Sequence, residues 1–124
     1  MGKDVSAFLG IPYARPPVDG LRFKRTVKPK KWSNLLTTNT FRDHCVQSFR
    51  EDLLLSRSLT SHTMSEDCLY LNIWSPDVTS ADLKAVIVWV HGGGFKGGTS
   101  LMDETDGRVL ASVGDVVVVT FNWR

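Results

Sequence analysis

The sequence holds no run of about 18 apolar residues, so a membrane-spanning helix is not expected in it. No charged-then-apolar leader follows Met1. Charge of one sign is never in large excess. The formal net charge is +2, too small to argue for nucleic acid or an anionic membrane as partner. The basic clusters Arg22-Phe23-Lys24-Arg25 and Lys28-Pro29-Lys30-Lys31 are broken by proline and aromatic residues and read as solvated surface. Cysteine is scarce: Cys45 and Cys68 are the only two. No Cys-x-x-Cys or similar spacing is present, which argues against a zinc site built with His44 and His62. Internal repeats and low-complexity linkers are also missing.

What remains is a chain of 124 residues, 42% hydrophobic and 23% charged, the size and composition of one globular domain. Its most informative stretch is Ala85-Val86-Ile87-Val88-Trp89-Val90-His91-Gly92-Gly93-Gly94-Phe95. Val86 to Val90 is an unbroken apolar run rich in β-branched residues, which predicts a strand covered on both faces of an α/β sheet. The glycines that end it let bare N–H groups approach a ligand. Backbone donors at a strand end suit an oxygen atom that gains negative charge.

In chain order, Val5 to Ile11 predicts a short strand stopped at Pro12. Pro12, Pro16 and Pro17 then impose an irregular path, and Asp19-Gly20 marks a turn. Leu21 to Trp32 has no clean period and reads as a surface loop. Cys45 and Cys68 close a compact loop, which suits a disulfide in an oxidising compartment; two buried thiols are the plainer alternative. Within that loop, Glu51 to Arg57 could form a short helix.

Cys68 to Trp74 alternates, with Leu69, Leu71 and Ile73 on one face and Tyr70, Asn72 and Trp74 on the other. It predicts a strand beside Ala85–Val90, antiparallel to it. Asp106 can cap a helix running through Val113, with Gly114 as its stop. Val116 to Phe121 predicts a further buried strand. Strand, glycine loop, helix and strand make a βαβ unit with parallel strands.

The glycines admit three readings. Gly92-x-Gly94-x-x-Gly97 has the spacing of a dinucleotide fingerprint, but the helix starts too late and no acid ends the next strand. A purely structural turn needs fewer glycines. The third reading is an oxyanion hole of the His-Gly-Gly-Gly type found in α/β-hydrolase lipases and esterases.

Three stretches then carry a family resemblance: Phe8-Leu9-Gly10-Ile11-Pro12-Tyr13-Ala14 with Pro16-Pro17, Ser65-Glu66-Asp67-Cys68-Leu69-Tyr70-Leu71-Asn72-Ile73, and His91-Gly92-Gly93-Gly94-Phe95. In order and spacing they resemble the type-B carboxylesterases, the group that includes the cholinesterases. Asn122-Trp123-Arg124 stands where that family commonly has Asn-Tyr-Arg.

The resemblance implies a partial α/β-hydrolase fold, the N-terminal part of a mostly parallel central sheet with one βαβ crossover. It implies that Gly93 and Gly94 supply oxyanion donors supported by Gly92. It also implies that Cys45 and Cys68 form a disulfide and that Arg22 and Glu66 make a structural salt bridge. His91 would not be the catalytic base, and His44 and His62 would face solvent. A small-molecule ester is the implied substrate, with no cofactor and no metal, and the secretory pathway or the outside of the cell is the implied location.

Residues 1–124 then read as the N-terminal portion of one such domain, cut before the nucleophile. No Gly-x-Ser-x-Gly occurs, so the chain alone is expected to hydrolyse nothing. Cholinesterases carry a tryptophan in the first cysteine loop to hold a quaternary ammonium. Here Phe49 is the only aromatic between Cys45 and Asp67, which favours a general carboxylesterase over a choline esterase. The alternative is a cholinesterase-like adhesion protein that keeps the fold without the serine.

Overall fold

The computed structural model describes residues 2–48 and 63–124. The helix expected over Glu51 to Arg57, with Phe49 and His62, lies outside the described residues. Among those described, the strands are β1 (Ser6–Pro12), β2 (His44–Cys45), β3 (Met64–Ser65), β4 (Tyr70–Ser75), β5 (Val86–Val90) and β6 (Val117–Phe121). One helix, α1 (Arg108–Gly114), links β5 to β6. The main sheet runs in the order β1-β4-β6-β5, and β2 pairs with β3 in a small parallel ladder.

The βαβ unit is as expected: β5 and β6 are parallel neighbours, with Val86 opposite Val117 and Val90 opposite Phe121. The expected antiparallel pairing of the Cys68–Trp74 strand with β5 does not form. Strand β4 instead lies antiparallel to β1 on one side and to β6 on the other. The parallel character expected of the sheet is therefore carried here by β5–β6 alone.

Strand β1 is bulged between Phe8 and Ile11. Gly10 takes φ 73° there, and a Cβ on it would meet the Thr40 carbonyl oxygen at 2.6 Å. The bulge removes the Gly10 amide from the ladder, and the buried Asn72 Oδ1 accepts it at 3.0 Å. Asn72 also donates to Thr120 Oγ1 at 3.2 Å. A polar residue thus sits on the better buried face of β4, beside Trp74, while Leu71 and Ile73 are half-buried.

Helix α1 covers the sheet by packing Ala111, fully buried, against Trp74 and Val118. A second cluster joins Ala14, Cys68 and Leu69 with Tyr13 and Cys45. The helix starts later than expected. Asp106 does not cap it as an N-cap residue, but its Oδ1 accepts the Arg108 amide at 2.9 Å. Arg108 holds the Asp106 carboxyl below its ordinary range, chiefly through their side-chain hydrogen bonds. The left-handed residue at the helix end is Asp115 (φ 52°) rather than Gly114, and Asp115 is ion-paired to Lys3 at 2.7 Å and Lys84 at 2.8 Å.

Strand β5 departs most from the sequence reading. Its five residues are 40–58% exposed, not covered on both faces. Among the described residues it lies at the sheet edge, paired with β6 on one side. Among the described residues the free apolar edge of the main sheet is that of β5, while β6 is flanked by β4 and β5.

Candidate functional site

Parallel strands β5 and β6 end side by side, and open α/β sheets bind ligands at such carboxyl ends. His91 follows β5 and Trp123 follows β6. Their rings stack with centroids 5.3 Å apart and planes 19° apart. His91 is 5% exposed, and its Nδ1 lies 3.0 Å from the Gly92 carbonyl oxygen. A carbonyl can only accept, so Nδ1 carries a proton in this arrangement. Phe95 meets the Trp123 ring edge-on at 5.7 Å.

The loop after His91 turns sharply. Gly93, Gly94 and Phe95 take φ of 138°, 60° and 59°. Gly93 cannot be replaced without moving backbone, since its Cβ would stand 1.6 Å from the Gly97 carbonyl oxygen. The turn is closed by the Lys96 amide donating to the Gly93 carbonyl at 3.0 Å. Among the described residues, no hydrogen bond takes up the amides of Gly93 or Gly94, and both residues are exposed. Sheet pairing stops at Val90, so it does not consume them. Gly92 has neither positive φ nor a neighbour within 4 Å of a built Cβ. A cavity of about 190 Å³ opens beside the loop, lined by Gln47, His91, Phe95, Gly97 and Trp123.

Of the other residues singled out in the sequence, Cys45 lines the same cavity as the loop. Cys45 and Cys68 are disulfide-bonded. Arg22 Nε and Glu66 Oε1 are 2.6 Å apart, both about half-exposed, so this pair contributes little to stability. His44 does not face solvent. It is fully buried in β2, with Nδ1 2.6 Å from Thr99 Oγ1.

A buried polar hub behind the loop was not visible in the sequence. Asn122 Oδ1 accepts from the Ser100 amide at 2.9 Å and the Ser100 hydroxyl at 3.0 Å. Its Nδ2 donates to the Asp43 carbonyl at 3.1 Å. Tyr13 donates from its hydroxyl to the Asn122 carbonyl at 2.6 Å, and burial raises its pKa. Gln47 was missed as well. Only its place two residues after Cys45, at the start of a polar segment, could have marked it.

A sheet with a βαβ crossover and a glycine loop at the ends of its parallel strands defines a protein of the α/β class with a loop-borne site. The model described as the carboxylesterase family matches residues 1–124, and the chain belongs to that family. This membership implies the α/β-hydrolase fold, of which the described sheet and helix are a part. The chain is 44% identical to the acetylcholinesterase of Danio rerio over 124 residues, which is 97% of this chain and 20% of that protein. It is 44% identical to the fumonisin B1 esterase of Sphingopyxis macrogoltabida over 121 residues, 98% of this chain and 22% of the esterase. With the cholinesterase of Mus musculus it shares 41% over 128 residues, 100% of this chain and 21% of that protein. The chain thus spans about a fifth of the length of these relatives.

Proposed function

We propose that residues 1–124 are the N-terminal portion of a serine carboxylesterase domain and supply its oxyanion donors. The exposed amides of Gly93 and Gly94, taken up by no hydrogen bond among the described residues, carry this reading. In ester hydrolysis a serine attacks the carbonyl, a histidine takes its proton, and charge collects on the former carbonyl oxygen. Donors fixed before the reaction stabilise that oxygen without reorganising. Gly93 and Gly94 would donate to it, with Gly92 setting the approach. The serine, its histidine and its acid would come from sequence beyond this segment, so the 124 residues alone hydrolyse nothing.

The substrate class is a small carboxylic ester, with an acyl-enzyme as intermediate. The disulfide between Cys45 and Cys68 supports residence in an oxidising compartment, the secretory lumen or outside the cell. The test is Gly94→Val in the full-length protein that carries this segment. Valine keeps the amide but is strained at φ 60°, so the turn should relax and carry the Gly94 N–H out of line. Misplacing one donor lowers kcat by up to about 10²–10³-fold, with KM changed far less. An unchanged kcat overturns the donor role, and a full-length protein without esterase activity returns the chain to the adhesion class.

A further inference from the structure

We infer that Gln47 is a positioning residue that clamps the glycine loop and ties it to the Cys45–Cys68 disulfide. One side-chain amide grips both polar groups of Gly98. Gln47 Oε1 accepts the Gly98 amide at 2.7 Å, and Nε2 donates to the Gly98 carbonyl oxygen at 2.9 Å. The second hydrogen of Nε2 goes to the Cys45 carbonyl oxygen at 3.1 Å. Both donors of the amide are therefore used, and its orientation is set by what it holds.

The consequence reaches Gly93 through contact. A Cβ on Gly97 would meet Gln47 Oε1 at 2.7 Å, so Gln47 lies directly against Gly97 as well as Gly98. The Gly97 carbonyl is the surface on which Gly93 rests. Holding Gly97 and Gly98 still fixes the floor of the turn, and with it the directions of the Gly93 and Gly94 amides. His91 Nδ1 and the Gly92 carbonyl oxygen, 3.0 Å apart, both lie against the same Gly98, each 2.3 Å from where its Cβ would stand. The far anchor of Gln47 is Cys45, held by β2 and by its bond to Cys68.

Only glutamine meets this geometry. Glutamate has no N–H and would set a carboxylate oxygen against the Gly98 and Cys45 carbonyls. Asparagine is one methylene too short to keep the same reach. Methionine keeps the length but offers neither a strong donor nor a strong acceptor.

This role rests on the reading of Gly93 and Gly94 as oxyanion donors, so two readouts are needed. The first is amide exchange at Gly98 in the full-length protein. Wild-type protein is expected to protect this amide, and Gln47→Met and Gln47→Glu to exchange it at least about tenfold faster. Unchanged exchange in both variants overturns the clamp, whatever the activity does.

The second readout is steady-state ester hydrolysis, together with inhibition by a trifluoromethyl ketone, whose tetrahedral adduct needs the same donors as the reaction. Gln47→Met and Gln47→Glu are expected to lower kcat and ketone affinity in parallel, by about 10–100-fold, with KM within about threefold of wild type. Gln47→Asn should recover little. A stabilising role alone would lower the melting temperature and leave kcat per folded molecule unchanged, which overturns the positioning role. Reduced kcat in Gly94→Val with normal kcat in the Gln47 variants also overturns it and spares the donors. Normal kcat in Gly94→Val defeats the donor reading itself, and the exchange measurement still decides the clamp.

Discussion

Gly93 rests on the main chain of Gly97 so closely that a Cβ added to Gly93 would stand 1.6 Å from the Gly97 carbonyl oxygen. The neighbouring Gly92 has no atom within 4 Å of the same construction. The two glycines should therefore answer alanine differently. Gly93→Ala must move backbone and give up φ 138°, at a cost of at least about 2 kcal/mol. Gly92→Ala should stay within about 0.5 kcal/mol of wild type. Chemical denaturation of both variants checks this, and equal losses would remove the basis for treating the turn as fixed by Gly93.

The βαβ unit was legible because its signals are local. An apolar run, a cluster of glycines and a helix with a stop signal lie within 36 residues, from Val86 to Phe121. Strand order was not legible. The neighbours of β4 are chosen by long-range pairing, and alternation along one strand does not say which partner it takes. The same limit hid the exposure of β5, since apolar residues report a preference for burial and not what covers them. His44 was misjudged because a buried polar residue is decided by its partners, here Thr99, and alternation alone did not show that Asn72 would be buried with the Gly10 amide and Thr120 as partners. Gly93 and Gly94 stood out from their sequence alone, while the residue that grips the far end of their turn, Gln47, carries no pattern.

The disulfide closes a loop with a sequence separation of 23. In the chain-entropy model such a link stabilises by about 3 kcal/mol. Reduction with a phosphine, or the Cys45→Ala/Cys68→Ala double variant, should lower the unfolding free energy by about that amount. Coincident denaturation curves for oxidised and reduced protein would contradict it.

Tyr70 makes stability depend on alkaline pH. Burial, and after it the hydrogen bond from its hydroxyl to Asp67 Oδ2 at 3.0 Å, push its pKa from 10.0 up to about 12. The fold therefore favours the protonated phenol. Between these two values the unfolded chain has lost a proton that the folded chain keeps, so stability falls as pH rises. Below the unfolded value the contribution is fully present. Urea midpoints should decline across this window, and Tyr70→Phe should flatten the decline. Tyr13, raised by burial in the same direction, leaves a residual slope. A wild-type midpoint independent of pH there would rule out the shift.

The edge of β5 presents Val86, Ile87, Val88, Trp89 and Val90 with no charge among them. Among the described residues no strand pairs with its outer side, and such an edge is open to pairing with another chain. The 124-residue chain should self-associate at about 10–100 μM, where exposed strand edges aggregate. Val88→Lys, at a position 56% exposed, should shift it towards monomer with little effect on the fold. Light scattering coupled to size exclusion measures both, and a monodisperse wild-type monomer would count against the free edge.

Asn122 joins elements that are far apart in the chain. It follows β6, its Oδ1 accepts both the Ser100 amide and hydroxyl, and its Nδ2 reaches the Asp43 carbonyl ahead of β2. Asn122 and Ser100 are buried and the bond to Asp43 is part-buried, and a buried group left unmatched keeps its desolvation cost. Asn122→Ala orphans the Ser100 amide and the Asp43 carbonyl together and should destabilise by about 2–4 kcal/mol. Ser100→Ala removes one hydroxyl while the Ser100 amide keeps its bond to Asn122, so it should cost only about 1 kcal/mol. The order of the two losses is the sharper test than either value. If Ser100→Ala proved the more damaging, the hub would have to centre on the hydroxyl, and Asn122 would be one of its ligands instead of the link between the two sheets.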